Sequence, residues 1–402
     1  MRRQRLILVS LWLLLLANYL DRMAISFAGP AIMKSLSMNP RDFGVVLSSF
    51  GVGFLLAQIP GGLLSDRMGA RPVFVIGALL WALFTGMMGL VSTVTAFVVV
   101  RFLFGLSEGA TISSFYKAIG DYFPPEERAK ASSMSMSAIA IAPACAGPLV
   151  GMLVAHAGWQ GMFLWMMIPA LIASLAAYLF LPRKTPDMAA NREAVREDAG
   201  PYIDILKMPS LWLFSLAAIC WNISYWGYLG WMPSYLAMAR DIDLKVLGTV
   251  ASIPYVFAFV GIIIFGRLGS RFPRYCGYIV AGCFGGAAVA LMAAYQVHSA
   301  TSAVACLAAT AFFLFGIHGP LAKVALDVAP QRQRAAFVST YLTVGHVSSA
   351  ATPAVIGFLV SKSGTFGGGF AMMIVALALA AFCLIALSRM AQANAEVALA
   401  QD

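Results

Sequence analysis

Four charged side chains lie where charge is expensive. Asp21 and Arg22, in the run Asn18-Tyr19-Leu20-Asp21-Arg22, and Arg101 and Glu108, in Arg101-Phe-Leu-Phe-Gly-Leu-Ser-Glu108-Gly, are embedded in long apolar stretches. If those stretches cross a membrane, each charge costs about 2.5–3.5 kcal/mol on the insertion scale, so it must face a partner or a cavity. Two carboxylates that can take protons beside two guanidiniums that can hold an anion are what coupling an anion to a proton requires. The plainer reading is a buried structural ion network. Desolvation offsets much of the attraction in buried pairs, however, so stability alone is a weak reason to keep one.

Spacing limits how the four can act. Arg101 and Glu108 are two helical turns apart, hence on one face and separated by about 10.5 Å along the axis. They are stacked, not bonded. Asp21 and Arg22 are adjacent, so they point in different directions and do not pair with each other. Asp21 is therefore expected to find its partner on the helix of Arg101 and Glu108.

The elements that must position these groups are membrane-spanning helices. Of 402 residues, 61% are apolar and only 11% charged, against about 25% charged in soluble domains; the mean hydropathy is +0.84. Nucleic-acid binding, a disulfide scaffold and a large soluble catalytic domain are excluded as first readings. Apolar runs at 6–33, 44–65, 72–93, 95–119, 129–155, 159–181, 209–237, 246–268, 275–297, 300–325, 334–361 and 366–388 give twelve spans of the length a bilayer needs. The expected fold is all-α and integral to the membrane: a six-helix bundle at 1–181, a polar cytoplasmic linker at 182–208, a second bundle at 209–390 and a cytoplasmic tail at 391–402.

Orientation follows from the basic residues. With the N-terminus inside, 20 lysines and arginines fall in inner loops and tails and 5 in outer loops, which fits the positive-inside rule and places both termini in the cytoplasm. The net charge of +10 thus reports orientation, not a polyanionic ligand. The six cysteines are scattered through apolar runs without a CxxC pair, so they indicate neither a metal nor a disulfide framework. Met1-Arg-Arg-Gln-Arg and the apolar run behind it lack a small-x-small cleavage site and read as an uncleaved first span.

Two further patterns point to transport. Asp121-Tyr-Phe-Pro124, then Arg128 and Gly151, recurs 206 residues later as Asp327-Val-Ala-Pro330, then Arg334 and Gly357. The shared offset argues for a duplicated six-helix unit, as in transporters. Gly62-Leu-Leu-Ser-Asp66-Arg67-Met-Gly69-Ala-Arg71 lies in the short loop between the second and third spans, where glycines permit a tight turn and the charges can pair with helix ends.

In a twelve-span chain that loop resembles the signature of the major facilitator superfamily. The motifs N-Y-L-D-R and R-F-x-x-G-x-x-E-G, with Gln58-Ile-Pro-Gly-Gly62, Gly120-Asp-Tyr-Phe-Pro124 and Trp231-Met-Pro-Ser-Tyr235, resemble its anion:cation symporter branch. That branch includes bacterial galactonate, glucarate, hexuronate and phthalate carriers and the animal sialic acid and vesicular glutamate carriers. The resemblance implies that Asp21 and Glu108 take protons, that Arg22 binds the substrate carboxylate with Tyr19 beside it, and that Arg101 holds or releases a carboxylate during coupling. It also implies that Gly62, Asp66, Arg67, Gly69, Arg71, Asp121 and Arg128 form the gating loops.

Departures bear on the substrate. A galactonate-like carrier would have Tyr, Gln and Asn where this chain has Phe54, Ile139 and His346, and each substrate hydroxyl left unpaired in a dry site costs about 1–3 kcal/mol. The expected cargo is a carboxylate less hydroxylated than a sugar acid. In the second half Asn222, Tyr225 and His346 are the candidate binding residues, with packing as the alternative for the aromatic and the histidine; His318 and Lys323 stay undecided. No cofactor other than a proton gradient is expected. The partners are a small organic anion, protons and the bilayer, without nucleic acid, and the chain reads as a monomer in a bacterial inner membrane. An exporter or an exchange carrier of the same superfamily is the nearest alternative. A membrane enzyme finds no HExxH, Walker or GxGxxG pattern to support it.

Overall fold

The computed structural model describes residues 2–182, 202–330 and 333–399, so most of the expected linker lies outside the described residues. The first helices are α1 (Arg2–Ser35), α2 (Pro40–Met68), α3 (Ala70–Met88), α4 (Val94–Tyr122) and α5 (Pro125–Phe180). After them come the short α6 (Tyr202–Leu206), α7 (Pro209–Ala239), α8 (Leu244–Arg271), α9 (Cys276–Gln296), α10 (Ala300–Gly316), α11 (His318–Val328), α12 (Arg334–Ser363) and α13 (Gly367–Leu399). Among the described residues ten segments are long and apolar enough to cross a membrane. One of the ten, within α5, holds two helices that meet at Gly158, whose φ of 68° and ψ of 174° interrupt the helix. The 31-residue α7 is long enough but carries Asn222 and several Trp, Tyr and Ser residues, which lower its hydropathy. Counting both gives the twelve expected spans.

Local chemistry sets the boundaries. The Asn39 side chain caps α2 by accepting from Asp42 N at 2.9 Å, with Pro40 in the first turn. Thr93 caps α4 through Ala96 N at 3.2 Å. The loop between α2 and α3 shrinks to one residue, Gly69, at φ 88°, a left-handed conformation that costs glycine nothing.

The chain forms two compact units. The first comprises Met1–Arg192, Leu229–Ser252 and Ala350–Thr365; the second comprises Glu193–Tyr228, Ile253–Ser349 and Phe366–Asp402. In the first unit α2 packs along α4, α1 along α5, and α3 against both α4 and α5. The α2–α4 contact is close because both helices place glycine at the crossing: a Cβ at Gly105 or Gly109 would strike the backbone of Phe50 or Phe54. That closeness brings the Phe50 and Phe54 rings up to the charged face of α4. In the second unit α9 is central, packing on α10, α11 and α13.

The sequence duplication has a counterpart in packing. Gly147 and Gly151 of α5 lie against Gly248 of α8, and Pro353 and Gly357 of α12 lie against Gly44 of α2. Positions 147 and 353, and 151 and 357, are related by the offset that relates Asp121 to Asp327. At the second crossing Ser48 Oγ accepts from Ala354 N at 2.9 Å and Trp231 Nε1 donates to the Pro353 carbonyl at 3.1 Å. Two backbone polar groups beside the helix-interrupting proline are thus satisfied.

Candidate functional site

The four charges come together inside the first unit. Arg22 Nη2 of α1 donates to Glu108 Oε2 of α4 at 2.6 Å, and the side chains are 5% and 0% exposed. The same nitrogen donates to Asn18 Oδ1, one turn back, at 3.3 Å. Asp21, expected to pair with α4, instead accepts from Thr85 Oγ1 of α3 at 3.4 Å. The correction has a simple cause: adjacent residues on α1 point to different neighbours, and the position facing α4 is Arg22, which leaves Asp21 facing α3. Arg101 and Glu108 are both buried with no hydrogen bond between them, in keeping with their two-turn separation.

Aromatic rings surround the guanidiniums. Arg22 Cζ lies 4.8 Å from the Tyr19 ring centroid and 5.0 Å from those of Phe50 and Phe54. Arg101 Cζ lies 4.8 Å from both Phe50 and Phe104. Phe50 therefore sits against both cations, and ring faces attract desolvated cations. Arg101 Nε and Nη1, Glu108 Oε1 and Asp21 Oδ1 have no protein hydrogen-bond partner among the described residues. A buried guanidinium with two unpartnered nitrogens has donors left over with which an anion can be held. Thr85, Phe50 and Phe104 were not predicted as site residues, since each belongs to an ordinary apolar run.

The second-half candidates fall in the second unit. Asn222 makes two hydrogen bonds within the unit: Nδ2 donates to the Ala218 carbonyl at 2.9 Å and Oδ1 accepts from Trp226 Nε1 at 3.1 Å. Tyr225 belongs to an aromatic cluster, with ring centroids 5.3 Å from Trp221, 5.2 Å from Phe315 and 6.5 Å from His318. His346 Nδ1 lies 2.7 Å from the Leu342 carbonyl and His318 Nδ1 2.6 Å from the Phe315 carbonyl. Gly345, beside His346, lies against Asn222 Nδ2.

Two of the residues expected in the gating loops, Asp66 and Asp121, meet at a lysine that the sequence reading counted only among the basic residues of the inner side. Lys117 Nζ, nearly buried on α4, reaches Asp66 Oδ1 at 3.2 Å and Asp121 Oδ2 at 3.3 Å. Lys323 makes the same i,i+4 pair with Asp327, at the repeat offset, a duplication that could have singled out both lysines. Arg71 Nη2 donates to the Tyr178 carbonyl and its Cζ lies 4.9 Å from the Tyr178 ring. Gly62 lies within α2, Arg67 in its last turn, and Gly69 N closes that helix on the Ser65 carbonyl at 2.9 Å. Tyr122 donates to the Pro182 carbonyl at 3.1 Å; burial, reinforced by Asp121, pushes its phenol up to about 12. The Arg128 side chain lies outside the described residues.

A helical membrane fold with a buried charge cluster and a duplicated Lys–Asp pair is the setting of a membrane transporter. The family model of the Major Facilitator Superfamily matches residues 11–353, and the chain belongs to that superfamily. It is a multi-pass membrane transporter, not an enzyme. The chain is 28% identical to a hexuronate transporter of Bacillus subtilis (strain 168), over 95% of this chain and 93% of that one. It is also 28% identical to a probable sulfoacetate transporter of Cupriavidus necator, over 91% and 89%. Among solved structures, a bacterial homologue of the human lysosomal transporter Spinster superposes with a TM-score of 0.78 at 17% identity, covering 96% of each chain, a likeness of fold. The bacterial relatives fit the expected inner-membrane location.

Proposed function

We propose that this chain is a proton-coupled symporter that takes up an organic carboxylate by alternating access, with residues 1–181 and 209–390 as its two bundles. The observation that carries the reading is the Arg22–Glu108 pair beside an Arg101 with idle donors. An anion arriving at Arg101 and Arg22 competes with Glu108 for Arg22. A carboxylate that loses its buried counter-charge is stable only when protonated, so anion and proton favour each other's binding. The site loaded with both is closer to neutral than the site loaded with the anion alone, and that lowers its cost of crossing.

The cargo is proposed to be less hydroxylated than a sugar acid, because Phe54 covers Arg22 with an apolar ring and Ile139 adds no hydrogen-bonding group. The hexuronate transporter among the relatives favours a second reading, a sugar acid. Proteoliposomes under an inward proton gradient separate these readings. D-glucuronate, L-galactonate, D-glucarate, sulfoacetate, benzoate and short aliphatic acids are tested as cargo. Accumulation that collapses with an uncoupler supports symport. Uptake unaffected by the uncoupler establishes exchange, and flux only against the gradient establishes export.

A further inference from the structure

One face of α8 changes character at its end. Ile253, Phe257, Val260 and Ile264 are exposed, and Arg267 and Arg271 are exposed after them. Successive members of this series are three or four residues apart, so all lie along one stripe of the helix. The opposite face is covered: a Cβ on Gly269 would meet Pro320 Cγ at 3.0 Å, and Gly319 of α11 lies against the Gly266 Cα. An exposed, wholly apolar stripe on a helix long enough to cross a membrane faces hydrocarbon. The rise from Ile253 to Ile264 is about 16.5 Å at 1.5 Å per residue, close to half of a hydrocarbon core about 30 Å thick. The stripe thus matches one leaflet, and Arg267 and Arg271 follow where its headgroups begin.

These arginines lack an anion. After α8 a 3₁₀ turn at Pro273–Tyr275 adds Arg274 at the same end, and Cys276 Sγ donates to the Gly269 carbonyl at 3.4 Å, folding the chain back on the helix. Among the described residues no carboxylate pairs with Arg267, Arg271 or Arg274, and like charges one turn apart repel. In the first half Arg71, the counterpart of Arg271, is held by the Tyr178 carbonyl and ring. The contact described for Arg271 is the ring of its neighbour Phe272, 5.7 Å away. Phe272 and Tyr275 are themselves exposed, and aromatic rings favour the boundary between hydrocarbon and headgroups.

We propose that this end of α8 is a docking surface for an anionic phospholipid, whose phosphate lies on Arg267, Arg271 and Arg274 and whose acyl chains lie along the stripe from Ile264 to Ile253. Guanidiniums hold a phosphate through paired N–H donors, and basic clusters at a membrane surface select anionic lipid. One such molecule matches both parts of the stripe, which neither a free anion nor a neutral lipid does.

Native mass spectrometry of the full chain in detergent tests this with phosphatidylglycerol and phosphatidylcholine of matched acyl chains. Phosphatidylglycerol is expected to bind the wild type several-fold more tightly. Arg267→Gln, Arg271→Gln and Arg274→Gln combined should weaken its first bound molecule by roughly tenfold or more and leave phosphatidylcholine unchanged. Arg5→Gln, Lys207→Gln and Arg389→Gln combined remove the same charge from exposed positions elsewhere and should keep the wild-type preference. If the first triple variant fails to fold, Arg271→Gln alone serves, with a several-fold loss expected. Equal binding of the two lipids by the wild type, undiminished binding in the folded α8 variant, or an equal loss in both triple variants overturns the site. So does displacement of the lipid by an equal concentration of glycerophosphoglycerol, which has the phosphate and no chains. No substrate is present, so the outcome is independent of the transport reading.

Discussion

Arg22 Nη2 lies 2.6 Å from Glu108 Oε2, with both side chains out of reach of solvent. Removing one partner of a buried pair strands the other, at about 3–5 kcal/mol. Arg22→Ala should therefore lower the thermal midpoint strongly, while Glu108→Gln, which still accepts a hydrogen bond from Arg22, should fold.

The same Glu108→Gln variant tests coupling. If Glu108 carries the proton, wild-type uptake falls as external pH rises through the range where the gradient is lost, because the proton is a co-substrate. Glu108→Gln should bind the anion yet fail to accumulate it, with a flat pH profile. Retained gradient-driven accumulation in both Glu108→Gln and Asp21→Asn would refute the assignment.

Arg101 is held by ring stacking on Phe50 and Phe104. Lysine keeps the charge but loses the planar fork and the stacking surface. A hydrogen bond to a charged group is worth about 1.5–3 kcal/mol, so losing one of the fork's bonds to the substrate carboxylate raises KM by roughly tenfold or more. Arg101→Lys should show that rise, with a modest fall in melting temperature from the lost ring contacts; initial-rate uptake over a substrate series measures the KM.

Phe54 covers Arg22 at 5.0 Å. Phe54→Tyr puts a hydroxyl near the guanidinium without enlarging the backbone contact. With about 1–3 kcal/mol at stake per unpaired hydroxyl, the ratio of D-glucuronate to benzoate uptake should rise by about tenfold. An unchanged ratio would remove Phe54 from the specificity argument.

How much of this was legible in the sequence depended on rarity. Asp21, Arg22, Arg101 and Glu108 stood out because charge is scarce in apolar runs, and the spans were legible from the runs themselves. Pairing was not: the i,i+1 rule separates Asp21 from Arg22 but does not say which neighbour each faces, so Thr85 and the exchange of partners needed the packed α1, α3 and α4. Phe50 and Phe104 were hidden because a ring beneath a cation and a ring in a core look alike in sequence. Lys117 was hidden by its abundance class, one basic residue among many near the inner face.

The duplicated Lys–Asp pair yields a last prediction. Lys117 holds two carboxylates, Asp121 on its own helix and Asp66 at the end of α2, whereas the only carboxylate described with Lys323 is Asp327. The segment Asp66-Arg67-Met-Gly69-Ala-Arg71 has a counterpart in Gly266-Arg267-Leu-Gly269-Ser-Arg271, so glycine stands where the second carboxylate would be. A Cβ at Gly266 meets nothing within 4 Å, and Gly319, one turn before Lys323, lies against the Gly266 Cα. Gly266→Asp is thus sterically open, and it tests whether a carboxylate at this position reaches Lys323. Since Lys323 is 44% exposed, the new pair is worth no more than about 1 kcal/mol. A slightly higher melting temperature should appear, and it should vanish in Gly266→Asp combined with Lys323→Met or in high salt. A gain that persists in the double variant would instead assign the effect to replacing a helical glycine, itself worth a few tenths of a kcal/mol.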